Sequence, residues 1–207
     1  MKYLVEFIGT FFLVTTIGMT VIDPGAGAMA PLAIGSVLMT MIYAGGHISG
    51  AHYNPAVTLA VWMRGRCPTQ EVPGYIVAQV VAAVAAAIFV LFLKGHPTIK
   101  AAEPDIVRAL AAEFVFTFAL AYVVLNVATA KSTSGNSYYG MAIGFTVLAG
   151  AYSVGSISGG AFNPAVAVGI TLLGLSSAAN IWIFLVSNFL GGAAAGLVFR
   201  FLNPNDK

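Results

Sequence analysis

The chain has 207 residues, 59% of them hydrophobic and only 8% charged, with a mean hydropathy of +0.91, whereas a soluble domain carries about 25% charged residues. This is the composition of an integral membrane protein. Nine Lys and Arg against seven Asp and Glu give a formal +2, too small and dispersed for nucleic acid; one cysteine, Cys67, excludes an internal disulfide framework, and no Cys/His spacing suits a metal.

A span takes about 20 apolar residues, and six can be drawn: approximately 3–22, 31–46, 73–93, 106–130, 138–156 and 178–201. Ala26-Gly27-Ala28 after the first run resembles a signal-peptide cleavage site. The run from Tyr3 to Ile22 is nevertheless long enough to span, and its start recurs later, so it is read as a retained first span. Between the third and fourth spans lies a short polar linker, about Lys94 to Asp105, in which Pro97 and Pro104 break any helix. Gly140 and Gly144, and Gly192 and Gly196, have the four-residue spacing that lets helix backbones approach closely.

One stretch is written twice. Residues 46–57 read Gly-His-Ile-Ser-Gly-Ala-His-Tyr-Asn-Pro-Ala-Val, and 109 positions later residues 155–166 read Gly-Ser-Ile-Ser-Gly-Gly-Ala-Phe-Asn-Pro-Ala-Val, identical at eight of twelve positions. Gly46, Ser49 and Gly50, with Gly155, Ser158, Gly159 and Gly160, predict irregular backbone. Asn54 and Asn163 then stand at N-cap positions, with Pro55 and Pro164 first in the helix. If each Asn oxygen accepts from the first turn, its amide NH2 is left as a free, oriented donor. The apolar runs that follow, Ala56 to Met63 and Ala165 to Leu173, reach roughly 15 Å at 1.5 Å per residue, half of a ~30 Å hydrocarbon core.

The repetition extends further. Glu6-Phe7-Ile8-Gly9-Thr10-Phe11-Phe12-Leu13 is echoed by Glu113-Phe114-Val115-Phe116-Thr117-Phe118-Ala119-Leu120, and Gln79 by Asn188. The whole chain, 1–207, reads as one channel domain: a first repeat 1–93, a linker 94–105 and a second repeat 106–207. Three spans per repeat, an odd number, make the repeats inverted, and sites in such proteins lie where the repeats meet. The fold class is therefore all-α integral membrane, with six transmembrane helices plus two re-entrant half-helices. With the N-terminus inside, the cytoplasmic side collects Lys2, Arg64, Arg66, Lys131, Arg200 and Lys207 and the outside Lys94, Lys100 and Arg108, which favours both termini in the cytoplasm.

Non-helical backbone at membrane depth belongs in a protein interior or along a water-filled cavity. Two such segments would present a ladder of carbonyl oxygens at Gly50, Ala51, His52 and Tyr53 and at Gly159, Gly160, Ala161 and Phe162. The amides of Asn54 and Asn163 lie between them, a single-file arrangement suited to water or small hydroxylated molecules. Each half-helix turns an N-terminus worth about half a positive charge to the midplane, which raises a barrier to protons and cations. Neutral solutes in the lipid bilayer's channel follow as the partners, with no cofactor and no nucleic acid.

With two Asn-Pro-Ala copies on half-helices of an inverted repeat, the sequence resembles the aquaporin and aquaglyceroporin (major intrinsic protein) family. The resemblance covers nearly the whole chain. It implies a passive channel, usually a homotetramer with one pore per protomer, in which Asn54 and Asn163 are midplane donors. Glu6 and Glu113 match buried glutamates that brace the re-entrant loops, His47 matches a cytoplasmic-vestibule residue, and His52 contributes mainly its carbonyl. At the outer constriction the chain departs from the family. Members usually carry Arg three positions after the second Asn, and here that position is Val166, with Ile34, Ala151 and Gly160 completing the ring. A wider, less polar constriction is expected to admit glycerol, urea, ammonia, peroxide or neutral metalloid hydroxides, unless Arg108 or Lys100 folds back from the outer loop to fill the gap.

Among competing functions, inverted repeats with broken helices also describe secondary transporters, in which Glu6 or Glu113 could carry a coupling proton. A membrane enzyme lacks any converging catalytic constellation in the sequence. Lys131-Ser132-Thr133-Ser134-Gly135-Asn136 reads as a solvated connection, with a gating loop as the sharper alternative. Cys67 reads as a free loop thiol, and Asp23, Glu103 and Asp105 as exposed loop charges. Minimal loops suggest the inner membrane of a microbe.

Overall fold

The structure, a computed structural model, describes residues 1–206; Lys207, counted above among the inner basic residues, lies outside that range. Among the described residues eight α-helices follow in order: α1 (Lys2–Val21), α2 (Ala30–Ser49), α3 (Pro55–Met63), α4 (Val72–Lys94), α5 (Ile106–Val124), α6 (Tyr139–Ser158), α7 (Pro164–Leu172) and α8 (Ile181–Leu202). Six, with their short extensions, are long and apolar enough to cross a membrane. The other two, α3 and α7, have nine residues each and reach about 14 Å.

The second and fifth spans run farther than expected. Gly46 and Ser49 lie inside α2, and Gly155 and Ser158 inside α6, so within the two repeated stretches only 50–54 and 159–163 leave helical geometry. The reason is local. Gly50 and Gly159 adopt left-handed backbone at φ 86° and 96°, the usual terminator of a helix, and nothing before them needs to break. Beyond α5 the chain continues as one π-helical turn, Leu125–Thr129.

Each half-helix packs across the repeat boundary. α3 lies on α8 and α7 on α4, while α2 meets α6. The small residues permit this: a Cβ at Gly192 would lie 2.5 Å from the Ala56 carbonyl oxygen, and one at Gly144 would lie 2.5 Å from that of Gly35. Backbone on backbone leaves such a clash no flexible side chain to yield. α4 ends at Lys94 with Gly95 in left-handed geometry, and the linker then turns back over the outer end of α7, where the Ala102 N–H donates to the Leu175 carbonyl at 3.0 Å.

Three loop readings stand and gain detail. Asp105 is the N-cap of α5, its side chain accepting from the Arg108 N–H at 2.9 Å. Cys67 is buried, and burial pushes its thiol above the ordinary value. The 131–136 connection is solvated, with Lys131, Ser132, Ser134 and Gly135 exposed, and is also pinned: the Lys131 N–H donates to Asp206 Oδ2 at 2.9 Å and Asn136 Nδ2 to the Val127 carbonyl at 2.7 Å.

Candidate functional site

Asn54 and Asn163 both cap their half-helices as the sequence requires. Asn54 Oδ1 accepts from the N–H groups of Ala56 (2.8 Å) and Val57 (3.4 Å), and Asn163 Oδ1 from those of Ala165 (2.9 Å) and Val166 (3.4 Å). Their amides, however, are not wholly free. Asn54 Nδ2 donates to the Phe162 carbonyl and Asn163 Nδ2 to the Tyr53 carbonyl, both at 2.9 Å. An amide has two N–H donors, so one per Asn is spent on the opposite loop and one remains.

The carbonyl ladder shortens for the same reason. Tyr53 and Phe162 give their carbonyls to the asparagines, which leaves Gly50, Ala51 and His52, and Gly159, Gly160 and Ala161, as the unspent acceptors. The N–H groups beside them are taken up by two buried glutamates. Glu6 Oε1 receives the Ser49 hydroxyl (2.7 Å) and the His52 N–H (2.9 Å), and Oε2 receives the Tyr53 N–H (2.6 Å) and Gln79 Nε2 (2.8 Å). Glu113 repeats the pattern with Ser158 (2.7 Å), Ala161 (2.9 Å), Phe162 (2.7 Å) and Asn188 (2.9 Å). Four donors fill the acceptor capacity of an ionised carboxylate.

The loops hold unusual backbone. Ala51, Tyr53 and Phe162 have φ of 51°, 48° and 49°, a left-handed geometry that costs a non-glycine residue about 1–2 kcal/mol and persists only where the surroundings enforce it. Here the enforcement is the glutamate clasp on one side and the asparagine on the other. Tyr53 adds a third tie, its hydroxyl donating to the Met41 carbonyl at 2.9 Å, and its ring lies where a Cβ on Gly9 would stand 2.2 Å away.

Two cavities lead to this centre. The outer, about 410 Å³, is lined by Asn54, Asn163, Ala51, His52, Gly159, Gly160 and Ala161 and by all four predicted constriction residues, Ile34, Ala151, Gly160 and Val166. Of the two cations offered to replace the missing arginine, Lys100 lines this cavity's mouth, and Arg108 is not among its lining residues. The inner cavity, about 910 Å³, is lined by His47, Gly50 and His52, and by the 129–136 segment. His47 stands exposed on the last turn of α2. His52 is buried, its ring 4.7 Å from that of Tyr75 and its Nδ1 3.1 Å from Thr58 Oγ1. Glu6 and Glu113 are both 0% exposed and line neither cavity.

Sequence reasoning noted Gln79 and Asn188 as a repeat marker and missed their work. A polar residue at equivalent depth in two apolar spans was the available signal. It also missed Arg64, the C-cap residue of α3, whose side chain is 2% exposed. Arg64 donates to Asp206 Oδ1 at 2.6 Å and to the Thr129 carbonyl at 3.3 Å, and it lies 4.8 Å from the centre of the Phe199 ring.

Among known proteins, the chain is 36% identical over 96% of its length to aquaporin NIP1-4 of Oryza sativa subsp. japonica, covering 76% of that protein. It is 34% identical over its whole length to the probable aquaporin NIP4-2 of Arabidopsis thaliana, again covering 76%. Both relatives are plant proteins and lend no support to a microbial inner membrane. Among solved structures, the aquaglyceroporin from Plasmodium falciparum superposes with a TM-score of 0.82 at 20% identity, covering 98% of this chain and 96% of that one. The fold is thus the aquaporin fold. The sequence profile described as Major intrinsic protein matches residues 2–199, and with six spans and two capped half-helices on the same residues, the chain belongs to the major intrinsic protein family.

Proposed function

We propose that this chain, a transmembrane channel for water and small uncharged solutes, passes molecules of glycerol's size through its outer ring. The observation that carries the reading is Val166 in the wall of the outer cavity, lined also by Ile34, Ala151 and Gly160, four residues that bring neither a fixed charge nor an aromatic to the proposed ring. Asn54 and Asn163 each hand one amide N–H to the solute at the midplane, and the unspent carbonyls of the two loops accept from it on either side. Glu6 and Glu113 hold the loops and keep away from the solute. Two half-helix N-termini converge there, so a cation meets positive potential with no compensating ligand, and Lys100 adds a positive charge at the outer mouth. Residues 1–93 and 106–207 serve as the two repeats joined by 94–105, both termini face the cytoplasm, and protomers with complete pores assemble as a homotetramer.

Stopped-flow light scattering on proteoliposomes tests the reading by comparing water and glycerol permeability. Rapid glycerol entry supports it, and Val166→Arg should reduce that entry; fast water flux with no glycerol entry, or glycerol flux indifferent to Val166→Arg, counts against it. A proton-coupled transporter would instead show saturating flux that follows a pH gradient.

A further inference from the structure

The 109-residue offset between α2 and α6 runs without a gap from Ala30/Tyr139 to Asn54/Asn163. Every residue of the outer ring therefore has a mate at the same depth on the cytoplasmic side. Ile34 corresponds to Ile143, Ala151 to Ile42, Gly160 to Ala51 and Val166 to Val57. Two pairs are equal in size. In the other two the inner member is larger, Ile42 by three carbons over Ala151 and Ala51 by one over Gly160. The adjoining loop pair leans the same way, with His52 opposite Ala161. Farther from the midplane the balance reverses: Ile17 exceeds Val124 by one carbon and Val21 exceeds Ala128 by two at the 107-residue offset of α1 and α5, and Ile170 exceeds Val61 by one, so the excess bulk on the inner side is confined to the ring itself.

The cavities give an independent observation. The outer one does not stop at the outer ring but runs past both asparagines to the inner side. It meets the inner cavity at Ile42, Val124, Ile143 and His52, the residues that line both. These four are 3%, 7%, 4% and 8% exposed; Ile42 and Ile143 among them belong to the inner ring, whose other members Ala51 and Val57 line the outer cavity alone, so the neck adjoins that ring.

We infer that solute size is limited by this inner apolar ring, with Ile42 and Ala51 as its specificity-determining residues, and not by the ring that contains Val166. The inference rests on the reading of the chain as a channel with a wide outer ring. A ring of aliphatic side chains rejects by bulk and by the cost of stripping water from a solute for which the only acceptors are the loop carbonyls on one wall, and a single methylene in such a contact is worth about tenfold or more in discrimination. Water and compact, poorly hydrated neutral solutes pass with least penalty, while longer polyols are stopped.

The test copies each ring onto the other. Ile42→Ala and Ala51→Gly give the inner ring the residues of its mates, and Ala51→Gly suits the backbone, since φ there is already 51°. Ala151→Ile does the reverse. Permeabilities to water, glycerol and erythritol are measured for native and variant proteoliposomes, with size-exclusion profiles confirming folded protein. The ratio of erythritol to water permeability is expected to rise about tenfold in Ala51→Gly alone and by more than about tenfold in the Ile42→Ala/Ala51→Gly double variant, by the methylene discrimination above. Ala151→Ile, which only equalises two barriers in series, should change it by about twofold or less. A native-like ratio in both inner-ring variants, together with loss of glycerol and erythritol flux in Ala151→Ile, overturns the inference and leaves the channel reading standing. A native chain that excludes glycerol refutes glycerol passage, and the double variant then decides the inner ring separately: glycerol entry upholds it and continued exclusion overturns it.

Discussion

Glu6→Gln replaces one acceptor oxygen by an NH2 group at a position where four donors converge. If the NH2 takes the place of Oε1, the Ser49 hydroxyl can rotate to accept from it, but the His52 N–H is orphaned. If it takes the place of Oε2, Gln79 can flip to present its unpartnered Oε1, and the Tyr53 N–H is orphaned instead. Either way one buried backbone donor goes unmet, at about 1–3 kcal/mol, and the surviving bonds lose the extra strength that a charged acceptor confers, about 1 kcal/mol each. No longer burying a charge offsets part of this, for a net loss of about 2–4 kcal/mol by those figures. For a chain of this length 1 kcal/mol moves a melting midpoint by about 2–4 °C, so a fall of roughly 4–15 °C is expected in detergent by thermal-shift assay. Glu113→Gln should match it, because its four partners are equivalent, and both variants should lose water permeability as the loops relax from their left-handed geometry. Midpoints within about 1 °C of native with native flux would refute the clasp, since that scale of shift corresponds to under half a kcal/mol.

Asn163→Asp removes the donor that reaches the Tyr53 carbonyl and sets a carboxylate against it; water flux should fall, and cation leak, read by a potential-sensitive dye, should rise. Gly192→Ala would place a methyl carbon 2.5 Å from the Ala56 carbonyl oxygen, so α8 must retreat from α3, and a lower thermal midpoint in detergent is expected. Asp206 is held below the ordinary carboxylate value of 3.8 first by the Lys131 N–H and also by Arg64. A depressed folded value means that its contribution is complete above pH 3.8 and is lost as the pH falls through the folded value. Limited proteolysis of the 131–136 segment should thus be flat from neutral pH down to about 4 and accelerate only below that, whereas Asp206→Ala should accelerate it at pH 7.

Much of the fold was legible because this sequence states it twice. A single Asn-Pro-Ala is weak, but Asn54 and Asn163 on runs too short to span, with Glu6 and Glu113 at matching depth, leave few arrangements open. The span ends at Ser49 and Ser158 were misjudged because Gly46 and Gly155 look like breakers, yet a helix tolerates such glycines until one adopts left-handed backbone. The asparagine amides were read as free because their partners, the Phe162 and Tyr53 carbonyls, lie more than a hundred residues away. The Arg64–Asp206 pair, 142 positions apart, left no local pattern at all. The inner ring was different in kind. Its residues follow from the same 109-residue offset as the outer ring: Ala51 is legible as a ladder carbonyl, while its side chain and that of Ile42 gain meaning only as the mates of Gly160 and Ala151.

Asn54 reaches into the second repeat and Asn163 into the first, so the midplane is also the joint between the two halves. Had the halves been separate chains, these two bonds would be counted as an interface, and the pore as the gap along it. The residues proposed to hand an N–H to the solute and the residues that hold the repeats together are then the same pair. Altering one asparagine to favour a different solute also loosens its grip on the facing loop, and the twin bond beside it must hold the joint alone. Variation in selectivity is therefore cheapest away from the joint, in side chains such as Ile42, Ala151 and Val166 that border the path and bind nothing across it.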